Sequence, residues 1–291
     1  MVNIRPSDLV VRLEKLQSLD PIVNRVREVV QKVLQPQHVR DLLHGVPLGH
    51  PLHPLMVQVP LGSWISAAIL DVIPGTERAA RTLIGVGVLS AAPAAASGYA
   101  DWSETDPSQQ RVGIVHSTAN LMAVLLYAAS WQQRAAQRSV AGKALSYSGL
   151  VVVLAGGFLG GHLSFRQKVG MDHSDDLTSF EGKGWQDLGL LTDFPENQLS
   201  QRALEGSSLA VYRRGQKIYV LSDVCSHLAG PLHEGSVADV GGSPCVVCPW
   251  HQSTFALDSG GVIRGPATAP QAALKTRIVD GVVQVAAQSE S

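Results

Sequence analysis

The pattern of apolar and polar positions divides the chain into three stretches. In residues 1–45, apolar side chains recur at roughly helical spacing among charged ones, for example at Leu13, Leu16 and Val23. Prolines at positions 21, 36 and 47 interrupt the pattern. This stretch predicts an amphipathic N-terminal helical segment that is broken into short pieces.

Residues 46–170 contain four stretches of about 20 residues that are almost free of charge. They lie near residues 54–73, 79–98, 112–131 and 145–164. About twenty apolar residues in a helix cross the hydrocarbon core of a bilayer. Ala, Gly and Ser in the second stretch favour close helix packing in lipid. The pattern predicts a four-helix transmembrane bundle, with a soluble apolar bundle as the alternative.

The last third changes to a strand pattern. Residues 171–186 are polar and predict a linker, and residues 187–288 alternate short apolar runs with turns such as Asp280-Gly281. The predicted strands are Leu209–Arg213, Lys217–Leu221, Cys245–Cys248, Gly261–Ile263, Thr276–Val279 and Val282–Val285. The predicted fold class is α + β in two domains, a helical transmembrane bundle followed by an all-β antiparallel domain.

Composition narrows the class of protein. A charged content of 16% and a mean hydropathy of +0.11 are unusual for a purely soluble protein and favour membrane segments. The net charge of −1 argues against a nucleic-acid partner. The three cysteines all lie within residues 225–248, so we expect no structural disulfides and a reducing compartment. The first residues show no apolar run after a basic start, so no cleavable signal is expected.

Two short motifs carry the candidate chemistry. Cys225-Ser-His227 and Cys248-Pro-Trp-His251 each place one thiolate near one imidazole. Two thiolates on one iron and two imidazoles on the other form the ligand set of a Rieske [2Fe–2S] centre. Zinc also accepts two Cys and two His, so ligand type alone leaves the metal open.

The flanking residues extend the match. Gly230-Pro231-Leu232 follows the first motif, and Ser253 and Phe255 follow the second. The C-terminal third therefore resembles the Rieske ferredoxin family. That resemblance implies one [2Fe–2S] cluster per chain, with Ser253 as a candidate hydrogen-bond donor to it. The implied metal ligands are Cys225, His227, Cys248 and His251.

The chain departs from the family pattern at several positions. High-potential members carry an extra cysteine in each ligand loop, joined as a disulfide, where this chain has Gly230 and Trp250. They also carry a tyrosine where this chain has Phe255, so the resemblance implies a modest potential. Gln252 replaces the usual glycine, so the resemblance does not fix the backbone conformation of the second loop, although it still implies the same ligands. The stretch 265–270 resembles the proline-rich loop that covers the cluster, and His233 and Cys245 are expected to be packing or surface residues.

The helical region resembles a bacterial membrane domain of unknown function that is sometimes fused to Rieske modules. The resemblance covers roughly residues 44–173. It rests on His50-Pro-Leu-His53-Pro54, Gly98-Tyr99-Ala100-Asp101-Trp102, His116 and Gly160-Gly161-His162.

These histidines suggest a second site. If four helices alternate in direction, five residues fall at one membrane face together with the Rieske domain: His50, His53, Asp101, His116 and His162. Ionisable groups at membrane depth are costly and invite a functional interpretation. The hypothesis is a haem b, metal or quinone site that includes His116 and His162. The alternative is that the histidines cap helix ends at the interface.

These features predict a membrane-tethered carrier of single electrons between a donor, either a reductase or a quinol, and a partner oxidoreductase. Such a protein is an electron-transfer component and not a self-sufficient enzyme. We expect a multi-pass protein of the cell membrane, in contact with lipid, with its Rieske domain in the cytoplasm. The alternatives are a redox or iron sensor that signals through the bundle and a zinc-stabilised interaction module.

Overall fold

The structure is a computed structural model that describes residues 6–288 and divides into two compact units. The helical unit comprises the chain up to Val39 together with Pro51–Val169. The β unit comprises Arg40–His50 together with the chain from Gly170 onward. Residues 1–5 of the predicted N-terminal helical segment lie outside the described residues.

Eight α-helices occur among residues 6–288. They are α1 (Pro6–Glu14), α2 (Asp20–Val33), α3 (Gln37–His44), α4 (Leu52–Met56), α5 (Gln58–Leu70), α6 (Glu77–Ser103), α7 (Pro107–Ala135) and α8 (Ser139–Gly161). The start of α7 has a clear local cause. Asp106 caps it, the Gln109 side chain accepts the Asp106 N–H at 2.8 Å, and Pro107 fills the first helical position.

Helices α5 to α8 pack as a ring, in which α5 and α7 each contact both α6 and α8. Trp64 of α5 stacks on Tyr127 of α7, with ring centroids 4.3 Å apart. Gly87 of α6 lies directly against the Trp64 ring, where a side chain would not fit. Beyond the C-terminal end of α5, the buried carboxylate of Asp71 accepts hydrogen bonds from Arg134 at 2.7 and 2.5 Å. The ring is therefore closed by aromatic stacking and a buried ion pair.

Among the described residues, three helices are long and apolar enough to cross a membrane: α6, α7, and α8 with its continuation to Arg166. The first of the four predicted stretches instead forms α4 and α5, which are too short on their own. Pro60 has no N–H to bond the carbonyl of Met56, and α4 ends at Met56. The helical N-terminal region is confirmed, with three candidate spans in place of the expected four.

The β unit contains two antiparallel sheets. Its strands are β1 (Gln186–Leu190), β2 (Leu199–Leu204), β3 (Ser207–Arg214), β4 (Lys217–Ser222), β5 (Ser236–Val240), β6 (Ser243–Val247), β7 (Thr254–Ala256), β8 (Val262–Arg264), β9 (Ala273–Val279) and β10 (Val282–Ala287). The larger sheet has the order β1-β10-β9-β4-β3-β2, and the smaller has the order β5-β6-β7-β8. The predicted all-β antiparallel domain is confirmed.

The central strands β3 and β4 of the larger sheet are buried on both faces. Along β3, Leu209 and Val211 enter one core, while Ala210 and Tyr212 enter the other. The second of these cores also contains the two motif cysteines and Phe255. The predicted turn Asp280-Gly281 joins β9 to β10 with both residues at positive φ, as a tight hairpin requires. The candidate chemistry thus lies at the edge of a packed apolar core.

Candidate metal centre

The first motif lies in the loop between β4 and β5. A bridge between Val224 and Pro231 closes the base of this loop. Inside it, the Cys225 N–H donates to the carbonyl of Gly230 at 2.9 Å, and the Ala229 N–H donates to the carbonyl of Cys225 at 2.8 Å. Ala229 has a left-handed backbone, with φ of 61°. The loop is therefore a tight, internally bonded turn with its cysteine at the base.

The second motif lies between β6 and β7 and is built in the same way. The Cys248 N–H donates to the carbonyl of Ser253 at 2.8 Å, and the Gln252 N–H donates to the carbonyl of Cys248 at 3.1 Å. Gln252 stands four residues after its cysteine, as Ala229 does, and has φ of 63°. A left-handed backbone explains why glycine is favoured here, and this chain adopts it with a glutamine.

The two loops bring the four motif side chains together. Cys225 and Cys248 are 1% and 2% exposed and belong to the same buried core. The rings of His227 and His251 are perpendicular, with centroids 5.0 Å apart, and both are partly exposed. Two buried sulfurs and two outer imidazoles thus face one another across the loops.

The protonation of the cysteines suits metal binding. The pKa of Cys248 is lowered to about 6, mainly by the hydrogen bond from the Cys225 thiol and further by the backbone N–H groups of Trp250 and His251. The pKa of Cys225 is raised because its S–H donates to Cys248 and because it is buried. The pair therefore shares one proton, which a metal ion would displace.

His227 is also prepared as a ligand. Burial lowers its pKa to about 3, and the nearby imidazoles of His251, His44 and His173 act in the same direction. The ring is therefore neutral at physiological pH. Its Nδ1 is buried and has no hydrogen-bond partner among the described residues. A buried imidazole nitrogen without a partner, beside two thiols, fits a metal–ligand bond.

Two polar side chains that hold the first loop have no signal in the sequence. Gln271, which is 2% exposed, accepts the Ser226 N–H at 2.9 Å and donates to the carbonyl of Val224 at 2.9 Å. Asp223, which is 3% exposed, accepts hydrogen bonds from both the backbone and the ring of His233. His233 therefore supports the loop. The role of Gln271 and Asp223 becomes visible only in the folded structure, where both side chains are buried against the first loop.

The structure around the second loop shows the surroundings of Ser253, Phe255 and Gly230, which the sequence singled out beside the ligands. The Ser253 hydroxyl oxygen accepts the Ala267 N–H at 2.9 Å, so its own O–H remains available to donate. Phe255 is fully buried in the core. A side chain at Gly230 would come within 2.9 Å of the Cys248 sulfur and 3.1 Å of the Trp250 ring. The two positions that differ from high-potential members are therefore in contact across the loops.

The β unit also includes a segment that the sequence did not assign to it, Arg40–His50. Asp41 accepts the Gly265 N–H at 2.9 Å. His44 is 3% exposed and lies, with Val46, against Gly265 at the start of the proline-rich loop. Because the residues in contact are more than 200 positions apart, no local pattern predicts this arrangement.

The histidines of the helical unit occupy different environments. His162, just after α8, is buried, and its Nε2 donates to the Glu14 carboxylate at 2.7 Å. His116 of α7 donates from Nδ1 to the carbonyl of Gly156 at 2.8 Å. His53 of α4 donates from Nδ1 to the carbonyl of Ala94 at 2.8 Å. The predicted partners His116 and His162 therefore bond differently, one to a backbone carbonyl and the other to a carboxylate. His53 bonds in the same way as His116.

Each of the two units matches a known protein family. A family model described as the Rieske [2Fe-2S] domain matches residues 184–281, and one described as a predicted membrane protein, DUF2231, matches residues 49–173. The anthranilate 1,2-dioxygenase ferredoxin subunit of Burkholderia cepacia is 36% identical over 101 residues, which are 35% of this chain and 90% of that protein. The ferredoxin CarAc of Metapseudomonas resinovorans is 32% identical over 83 residues, which are 28% of this chain and 73% of that protein.

Among solved structures, the ferredoxin of carbazole 1,9a-dioxygenase from Nocardioides aromaticivorans covers 36% of this chain and 98% of its own, at 22% identity and a TM-score of 0.33. The two sequence relatives are ferredoxins, which supports an electron-carrier role. The Rieske match implies a [2Fe–2S] cluster. The chain belongs to the Rieske [2Fe–2S] family through its C-terminal region, which follows a predicted membrane protein domain of the DUF2231 type.

Proposed function

We propose that this protein is a membrane-tethered Rieske iron–sulfur protein that carries single electrons between a donor, a reductase or a quinol, and a partner oxidoreductase. The observation that carries the proposal is the convergence of two buried thiols with two partly exposed imidazoles on matched loops. A centre of this kind is shielded on its sulfur side and accessible on its imidazole side, as electron exchange with a partner requires.

Cys225 and Cys248 would ligate one iron, and His227 and His251 the other. When bound, the cluster supplies one-electron redox chemistry. The chain's own residues set its environment. Backbone N–H groups two and three residues after each cysteine lower the pKa of its thiol and so favour the thiolate. The Ser253 O–H is placed in the same loop to donate a further hydrogen bond.

The partners follow from the same family relationship. Two relatives are ferredoxins, one of them a subunit of a dioxygenase system by its name. We infer that this chain likewise serves as the electron-transfer component of a larger oxidoreductase system, with an oxygenase or another oxidoreductase as the acceptor. The membrane region makes a quinol an additional candidate donor.

The helical unit supplies the membrane tether in this proposal. Large apolar side chains on the long helices are exposed, including Leu89 at 78% and Val151 at 69%. Lipid would cover them if the four-helix ring forms a multi-pass bundle. The three cysteines are all free, which favours the cytoplasmic face for the cluster. The protein should stay in membranes through an alkaline carbonate wash and leave only with detergent; release by carbonate would contradict the tether.

The cluster is tested by EPR and visible spectroscopy on detergent-purified protein, with iron, sulfide and zinc analysis. We expect a Rieske-type signal in the reduced wild type, with iron and sulfide in equal amounts. The variants Cys225→Ser and Cys248→Ser should lose it. Cys245→Ser is the matched control, because Cys245 is a buried cysteine of β6 outside the two loops, and it should retain the signal. A colourless protein that contains zinc and no iron would refute the proposal.

Turnover separates the carrier from a redox or iron sensor. A carrier is reduced rapidly by a reductase or a quinol and reoxidised by an acceptor, with the cluster intact over many cycles. A cluster that neither donor reduces, and whose slow loss alters the binding of a partner, would point to the sensor.

A further inference from the structure

Two histidines of the helical unit are held in the same way, although they lie in different helices. Nδ1 of His53 in α4 lies 2.8 Å from the carbonyl oxygen of Ala94 in α6. Nδ1 of His116 in α7 lies 2.8 Å from the carbonyl oxygen of Gly156 in α8. Each ring therefore bonds the backbone of a neighbouring helix.

These bonds fix the tautomer of both rings. A carbonyl oxygen only accepts hydrogen bonds, so Nδ1 must carry the proton in His53 and in His116. Nε2 is then the nitrogen with the free lone pair. Metal-binding histidines show this arrangement, with one nitrogen donating to a carbonyl and the other facing the metal.

The packing beneath the two rings is also repeated. Four residues after Ala94, Gly98 lies so close to His53 that a side chain would come within 2.8 Å of its Nδ1 and Cε1 atoms. Four residues after Gly156, Gly160 lies against His116, and a side chain would come within 3.1 Å of its Cε1. The edge of each ring is thus pressed onto a helix backbone, which fixes its orientation.

The Nε2 lone pairs remain available. The amide nitrogen of Asn120 lies 3.4 Å from Nδ1 and 3.1 Å from Nε2 of His116. Because it is close to both nitrogens, it lies over the face of the ring and not in its plane along the Nε2 lone pair. Nε2 of His53 has no hydrogen bond to any described residue. The two rings also lie at a similar depth in the bundle: α6 and α7 are packed neighbours, His116 is nine residues from the start of α7, and Ala94, which His53 bonds, is nine residues from the end of α6.

We propose that His53 and His116 are the two axial ligands of a haem iron within the helical unit. Two protein ligands suffice for haem, because the porphyrin supplies the other four nitrogens. A bare zinc ion needs three or four protein ligands, and within the described part of the chain no third His, Cys, Asp or Glu joins these two histidines in a metal-binding group. This site goes beyond the proposed function, since the cluster needs neither histidine.

His162 does not belong to this site. Its Nε2 donates a hydrogen bond to Glu14 at 2.7 Å. This nitrogen therefore carries a proton and has no free lone pair for a metal, unlike Nε2 of His53 and His116. The axial partner of His116 is therefore His53 and not His162.

The test is a pyridine haemochrome assay on protein purified from cells supplied with a haem precursor, repeated after titration with hemin. Wild type should bind haem with the low-spin EPR signal of two axial imidazoles. His53→Gln and His116→Gln should each lose haem by more than about tenfold or convert it to high-spin iron, since losing even an outer partner of a metal ligand costs about 10–100-fold in affinity. Added imidazole should restore the signal in His116→Gly, which shows that the bundle still folds.

Two controls make the assay specific. His38→Gln removes an exposed histidine and should change nothing, and His162→Gln should keep the haem. Cys225→Ser should lose the cluster and keep the haem, so that failure of this site and failure of the cluster are distinguishable. Wild type without haem, a bare metal in its place, or haem that survives both ligand substitutions would overturn the proposal.

Discussion

At the residue scale, Gln252 shows how a single departure from a family pattern is accommodated. Its backbone is left-handed, at φ of 63°, and its N–H closes the second ligand loop by bonding the Cys248 carbonyl. Such a conformation costs a residue with a side chain roughly 1–2 kcal/mol, and glycine avoids most of this at an entropic cost of roughly 0.5–1 kcal/mol. The loop therefore carries a small strain that is unrelated to its ligands.

Gln252→Gly should stabilise the β unit by up to about 1 kcal/mol, because it relieves this strain while the hydrogen bond to Cys248 remains. The measurement is thermal unfolding followed by the visible absorbance of the cluster. Gln252→Ala is the matched control: it also removes the exposed glutamine side chain but keeps the strained backbone, so it should gain nothing. A glycine variant less stable than wild type would show that the glutamine side chain itself supports the loop.

The residues around the centre also show what the sequence can predict. The spacing of Cys225, His227, Cys248 and His251 indicated the four candidate ligands, and the loops bring them together. The contribution of Gln271 was not predictable, because a buried glutamine bonding two backbone groups of a distant loop has no spacing rule. His53 was seen in the sequence but not paired with His116, because only the bonds to Ala94 and Gly156 distinguish it from His162.

At the element scale, a strand is predictable from the sequence where its apolar run is long and uninterrupted, and it is not predictable where polar residues break the run. The predicted strands around residues 209–221 and 276–285 coincide with β3, β4, β9 and β10, whose apolar runs are long and whose hairpin turns are explicit. The predicted strands do not include β1, β2, β5 or β7; in β2, polar residues such as Gln201 and Arg202 interrupt any apolar run. The first apolar stretch was read as one span, although Pro60 interrupts its helical hydrogen bonds.

The contact between α2 and α7 leads to a pH-dependent prediction. Arg111 donates to both oxygens of Asp20, at 2.6 and 3.0 Å. This hydrogen bonding lowers the pKa of Asp20 below its ordinary 3.8, and charge attraction by the guanidinium adds to the effect. Since the pKa is depressed in the folded state, the stabilisation is complete above about pH 3.8 and is lost as the pH falls through the lower folded value.

Asp20→Asn should therefore lower the melting temperature at pH 7, and the difference from wild type should shrink below about pH 3.8. Melting of the detergent-solubilised protein is measured between pH 7 and pH 3. Glu28→Gln is the matched control on the same helix, since its pairing with Arg25 is 3.6 Å long and exposed and should contribute little. A difference that stays constant across this pH range would rule out the ion pair as its cause.

At the scale of the whole molecule, the segment Arg40–His50 belongs to the β unit, although α3 begins in the helical one. Asp41 and Gly265 are linked by a hydrogen bond across 224 positions, and Gly265 is buried. Leaving a buried backbone N–H without an acceptor costs about 1–3 kcal/mol. The segment therefore contributes to holding the proline-rich loop beside the ligands.

Asp41→Ala should accelerate loss of the cluster, because the Gly265 N–H then loses its acceptor. Asp41→Asn keeps an oxygen at the same place and should remain close to wild type. The decay of cluster absorbance in the presence of an iron chelator measures the effect. Equal decay in wild type and the alanine variant would show that the segment does not stabilise the loop.

The same hydrogen bond has a consequence for how the protein is made. Asp41 leaves the ribosome before α4 to α8, and Gly265 leaves it after them, so the contact closes only after these five helices have been synthesised. Contacts of such long sequence separation form late in folding. A truncated chain that ends within the helices exposes the segment without its loop. The loop beside the four ligands is therefore completed only after the helical unit has been made, and a chain interrupted within the helices lacks it.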